Sequence, residues 1–184
     1  PDYTGETYLD ILRTVKAAEP EMHVHAFSPL EVTQGAATLG LPLADYLRRL
    51  KEAGLGSLPG TAAEILHDEV REVLCKGKLS TDEWVEAIEA AHTVGLKTTS
   101  TIMYGHIDHP RHWARHLLVL RDLQERTGGI TEFVVLPFVA MEAPLFLRGA
   151  DLSHALLRLD ELGQPAVLRG DLRPGLASRQ LPRD

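Results

Sequence analysis

Two rhythms of apolar side chains alternate along this chain. Tyr8, Ile11, Leu12 and Val15 fall on one face of a helix that Pro20 must end. Met22 to Phe27 (MHVHAF) reads as a strand, and Leu43, Leu47 and Leu50 mark a second helical stripe that runs out at Gly54. A short apolar run, Leu55 to Leu58, is closed by Pro59 and Gly60, and a helix is predicted from Thr61 to about Leu74. Ser80 and Glu83 have the spacing of a capping box. They open a helix that turns Trp84, Ile88 and Ala91 inward and stops at Gly95. Lys97 to Tyr104 (KTTSTIMY) is the third strand. Pro110 starts a helix with Trp113, Leu117, Leu120 and Gln124 on one side, ended by Gly128 and Gly129, and Ile130 to Phe138 is the fourth strand.

Strands begin near residues 22, 55, 97 and 130, one strand–helix unit every 33 to 42 residues. Such alternation predicts an α/β fold with parallel strands at about 22–27, 55–58, 97–103 and 131–136. An eight-unit (βα) TIM-type barrel needs about 250 residues, so four units make a partial barrel. No GxGxxG or GxxxxGK[ST] pattern follows any strand, which removes the usual nucleotide signals of an open doubly wound sheet. The barrel texture covers residues 1–149, and 150–184 read as a divergent tail whose end, dense in Pro, Gly and Arg, is expected to be poorly ordered. A half barrel exposes strand edges, so the chain is also expected to be marginal or to self-associate.

The charge balance is 26 acidic against 19 basic side chains, and the basic ones are dispersed. That argues against nucleic-acid partners and for small-molecule substrates. No apolar stretch of membrane-spanning length is present, and the single cysteine, Cys75, forms neither an internal disulfide nor a Cys-rich metal site. A cytoplasmic location fits.

Barrel enzymes place their chemistry at the C-terminal ends of strands, and several side chains here qualify. His23 and His25 lie two apart on a strand and so share a face, as a metal pair, as hydrogen-bonding groups or as satisfied core histidines. Glu64 follows the PG turn and either reaches a ligand or serves a helix dipole. Arg71, two helical turns on, either clamps a carboxylate or pairs with Asp68 or Glu69 at the surface. Tyr104-Gly105-His106 closes the third strand, where His106 is suited to proton transfer near neutral pH. His112 and His116 have metal-pair spacing without a third ligand and are read as a solvated helix face. Glu132 requires a polar interior or an Arg or His partner. Cys75 reads as inert, and Trp84 and Trp113 as core.

The segments MHVHAFSPLEV, LPGTAAEIL, DEVR, KGKL, AHTVGLKTTSTIMYGHIDHPRHW, HLLVLRDLQERTGG, TEFVVLPF and AP span about residues 2 to 149. Together they resemble the tyrosine-using part of the deazaflavin (FO) synthase family of radical S-adenosylmethionine (SAM) enzymes. The related aminofutalosine synthases are similar at the PG-x-x-AEI and YGH stretches. The resemblance implies a barrel in which a 4Fe-4S cluster cleaves SAM to a 5′-deoxyadenosyl radical. That radical acts on L-tyrosine, and the resulting fragment joins 5-amino-6-(D-ribitylamino)uracil on the way to coenzyme F-420. It also implies that Glu64 and Arg71 meet SAM, and that His25, Tyr104, His106 and Glu132 lie near the substrate cavity.

Three departures qualify that expectation. The family's CxxxCxxC cluster motif is absent, Ala140 stands where His is usual and Gly56 where Asp is usual, and the sequence after Ala150 is unlike the family, as a frameshift would make it. The expected activity is therefore that of a fragment, inactive unless a missing N-terminal barrel half or a companion radical SAM partner supplies the cluster. The competing readings are a metal-dependent hydrolase built on His23 and His25, and a non-catalytic barrel-half module.

Overall fold

Each sequence rhythm becomes an element in the computed structural model, which describes residues 3–138. In chain order these are α1 (Gly5–Ala18), β1 (Val24–His25), α2 (Pro29–Thr38), α3 (Leu43–Glu52), β2 (Leu55–Leu58), α4 (Asp68–Leu74), α5 (Thr81–Thr93), β3 (Lys97–Tyr104), α6 (Pro110–Thr127) and β4 (Ile130–Pro137). The strands form one sheet in the order β1-β2-β3-β4, and every neighbouring pair is parallel. Parallel neighbours joined through helices are the repeating unit of a (βα) barrel, so the α/β fold class expected from the spacing is the one observed. The tail from residue 150, with Ala140, lies outside the described residues.

On β3, Thr98, Ser100 and Ile102 are buried, whereas Thr99, Thr101 and Met103 are only half covered. One face of the sheet is thus packed and the other open. Leu12, Tyr46, Leu47, Leu50, Leu55 and Leu58 form one core cluster; Trp84, Ile88, Leu66 and Leu123 form a second. Trp84 is fully buried, and Trp113 is half-buried against Tyr104.

One helix joins the expected elements, and two expectations are corrected. Helix α2 has no strong apolar stripe, and its signal is instead the Ser28–Glu31 capping box followed by Pro29, with the Ser28 N–H donating to Glu31 Oε2 at 2.7 Å. Its Gly35 is required by packing, because a Cβ there would sit 2.7 Å from Tyr46 Oη, which donates to the Gly5 carbonyl at 2.8 Å. Strand β1 is two residues long, shorter than Met22–Phe27, and Phe27 has already turned to φ 66°. The helix expected from Thr61 begins only at Asp68, because residues 61 to 67 form an irregular turn.

Candidate functional site at the strand ends

Because all four strands are parallel, their C-terminal ends lie on one rim. The described residues other than glycine with positive φ are Phe27, Ala62 and Glu64, at 66°, 57° and 44°. One follows β1 and two follow β2. Backbone held in that region costs on the order of 1–3 kcal/mol per residue, and such residues gather at ligand-binding sites.

The turn after β2 is bound closely to β3. Gly60 N–H donates to Thr99 Oγ1 and Thr101 Oγ1 donates to the Gly60 carbonyl, each at 3.3 Å; a Cβ on Gly60 would lie 2.0 Å from the Thr99 carbonyl oxygen. Glycine is obligatory there. Further on, the Glu64 carbonyl accepts from Met103 N–H at 2.9 Å, and its carboxylate meets Lys78 Nζ at 2.5 Å.

Arg71 does not share a helical side with Glu64, since Glu64 precedes the helix. Its guanidinium is buried: Nε donates to the Leu79 carbonyl at 2.8 Å, NH2 to Leu79 at 2.5 Å and Ala62 at 3.3 Å, and NH1 to Ala63. It is neither a surface ion pair nor a free clamp; it braces the strained turn that carries Glu64. Asp68 is held by the Thr81 N–H and O–H at 2.8 and 2.7 Å. Burial would raise its carboxyl, but those bonds outweigh it and hold it below the usual range.

His23 Nε2 and His25 Nδ1 converge on Ser57 Oγ at 2.8 and 2.7 Å, so the two imidazoles do share a face. Register places Ser57 beside Lys97 and Thr99 beside Glu132, which extends this polar row across the open face. Glu132 is exposed there and makes no ion pair among the described residues. Among the described residues, His67, Glu69 and His112 are the three side chains close enough together to group around a metal, whereas His23 and His25 meet at a serine hydroxyl. Tyr104 is on the other face, its ring edge-on to Trp113 with centroids 5.5 Å apart. It is therefore not brought to His25 and Glu132.

The turn after β3 is organised by Asp108, which sequence reasoning passed over. Its Oδ1 accepts from the N–H groups of Gly105 and His106 at 3.0 and 2.7 Å, and Oδ2 accepts from Trp113 Nε1. His106 Nδ1 lies 2.8 Å from Oδ1, and both side chains are fully buried. Burial pushes the Asp108 carboxyl up, but the His106 bond and charge, with Trp113 and the backbone donors, hold it far below the carboxylate range. The available signal was a carboxylate two residues after the Gly-His that follows the strand, within reach of their N–H groups by a local side-chain-to-backbone bond.

His112 and His116 are not solvated. They continue the buried face of Leu120 and Leu123, and His116 Nδ1 accepts from Leu66 N–H at 3.0 Å. Burial, then the Arg71 charge, push His116 down to about 4. The unfolded ring titrates near 6.5, so it takes up a proton that the folded ring refuses. Stability is thus complete above about 6.5 and lost as pH falls toward 4. Between pH 7 and pH 5 this group should remove about 2 kcal/mol of unfolding free energy. Urea titrations of the chain and of His116→Leu should show that loss only in the former; equal pH slopes would contradict the assignment.

Comparison with known proteins places this geometry. The radical SAM superfamily model matches residues 2–120, and the chain belongs to that superfamily. Its relatives narrow the class further. It is 58% identical over 150 residues to an FO synthase of Mycobacterium tuberculosis, covering 82% of this chain and 18% of that protein. To the FO synthase of Streptomyces coelicolor it is 52% identical over 180 residues, 98% of this chain and 21% of the relative. To the 5-amino-6-(D-ribitylamino)uracil–L-tyrosine 4-hydroxyphenyl transferase of Methanothermobacter thermautotrophicus it is 56% identical over 148 residues, 80% of this chain and 40% of the relative. The chain thus spans about a fifth to two fifths of the length of these relatives.

The superfamily implies SAM and a 4Fe-4S cluster in the intact enzyme. The thiols present do not fit the cluster. Cys75 is the single cysteine, it is buried beyond the end of α4, and burial pushes its thiol up, away from the thiolate an iron needs. No helix among the described residues is long and apolar enough to cross a membrane.

Proposed function

We propose that this chain supplies the substrate-side strands of a radical SAM barrel that joins the 4-hydroxyphenyl-bearing part of L-tyrosine to 5-amino-6-(D-ribitylamino)uracil. The observation that carries this reading is the identity above one half across about four fifths of the chain to the enzymes named for that reaction. The strained turn after β2 presents Glu64 for hydrogen bonding to SAM, and Arg71 acts there by holding the turn. His25 and Glu132 on the open face, with His106 after the end of β3, contribute to the substrate cavity. The cluster's thiolates come from outside these 184 residues, in the same polypeptide or in a companion one, and the assembly works in the cytoplasm.

Anaerobic treatment of the purified chain with iron and sulfide, then dithionite, SAM and tyrosine, should yield no 5′-deoxyadenosine. One thiol cannot replace the three thiolates that hold such a cluster. Release of 5′-deoxyadenosine by the chain alone would overturn the assignment of the cluster to another region.

A further inference from the structure

A carboxylate only accepts hydrogen bonds, so whatever points at Asp108 must donate. Among the described residues, the N–H groups of Gly105 and His106 and the indole of Trp113 do so from fixed positions. His106 Nδ1 points there too, at 2.8 Å, and must therefore carry a proton. Ile107 N–H also approaches that nitrogen at 3.0 Å, but an ionised acceptor at shorter range is the stronger partner. In the neutral ring the other nitrogen then bears a lone pair. That nitrogen, Nε2, is buried and has no hydrogen-bond partner among the described residues. A buried acceptor left unpaired costs about 1–3 kcal/mol, so the fold keeps this one at a cost that a ligand's donor would offset. The ring is held against rotation by Phe138, edge-on with centroids 5.5 Å apart.

We propose that Asp108 is a positioning residue that locks His106 in the Nδ1–H tautomer and thereby offers Nε2, at the end of β3, as the acceptor for an O–H or N–H donor of the small-molecule substrate. This deepens the functional reading above and rests on it only for the identity of the donor. A carboxamide at position 108 cannot reproduce the lock. Its oxygen can serve the backbone pair or the indole, and its NH2 then confronts the donors left over. The arrangement follows the logic by which a buried aspartate orients a catalytic histidine and fixes which nitrogen acts.

Two measurements separate the lock from its use. In the histidine-15N-labelled chain near pH 7, the ring assigned by its loss in His106→Gln should show a protonated Nδ1 and a bare Nε2. A ring protonated at Nε2 would overturn the proposal whatever the protein's activity. The second reading uses a chimaera in which the corresponding segment of the Methanothermobacter relative is replaced by this chain. There Asp108→Asn should lower kcat by about a hundredfold or more, with a smaller change in KM, as misoriented histidines do. Unchanged kcat in a chimaera that makes product would overturn the role of the lock in the reaction. A chimaera that makes no product would instead count against the functional reading, while the tautomer is still decided in the chain itself.

Discussion

Arg71→Met should lower the unfolding free energy by about 3–5 kcal/mol, although it removes no residue from either core cluster. Methionine keeps the buried stem, so the loss isolates the guanidinium. That group donates to the Leu79, Ala63 and Ala62 carbonyls, at 2.8 and 2.5 Å for Leu79 and 3.3 Å for Ala62. Each carbonyl stripped of its donor in a buried setting costs about 1–3 kcal/mol. Two of the three carbonyls belong to the turn with positive φ at Ala62 and Glu64, so the strain there loses its brace as well. The damage should be local before it is global. Hydrogen exchange at Met103, whose N–H donates to the Glu64 carbonyl, should accelerate while the amides of α1 and α3 keep their protection. A change below about 1 kcal/mol in urea titration would mean that Arg71 is a peripheral charge after all.

What the sequence disclosed follows from which signals are local. Strand–helix alternation and the Ser80–Glu83 cap are read within a few residues, and these set the parallel four-stranded order. α2 carries little apolar periodicity because its buried face, Pro29, Val32, Gly35 and Ala36, holds one large aliphatic side chain, so its cap is the clearer signal. Residues 61 to 67 read as helix in the sequence because nothing local forbids helix at Thr61-Ala62-Ala63-Glu64. The deciding contacts are long-range, from Gly60 to Thr99 and from Arg71 to Leu79. Tertiary context overrides propensity there.

The same distinction runs through the site. The shared face of His23 and His25 follows from the two-residue strand period, but Ser57, which joins them, lies more than thirty residues away in the chain. His112 and His116 looked solvated because histidine is polar. They are buried because they prolong the Leu120–Leu123 face and find backbone donors, His109 N–H at 2.9 Å and Leu66 N–H at 3.0 Å. The absence of cluster thiolates was legible outright, since counting cysteines needs no fold.

The central claim is that these strands form the substrate side of a tyrosine-using radical SAM barrel. Its most direct test is tyrosine-dependent formation of 5′-deoxyadenosine by the Methanothermobacter chimaera. The transplanted segment shares 56% identity with the one it replaces, so the core and rim should survive and the host supplies the cluster. Turnover should persist, and Glu64→Ala within the transplanted segment should weaken SAM binding by about 1.5–3 kcal/mol, the value of a charge-assisted hydrogen bond. A folded chimaera that retains its cluster and binds SAM, yet releases no 5′-deoxyadenosine when tyrosine is added, would contradict the account.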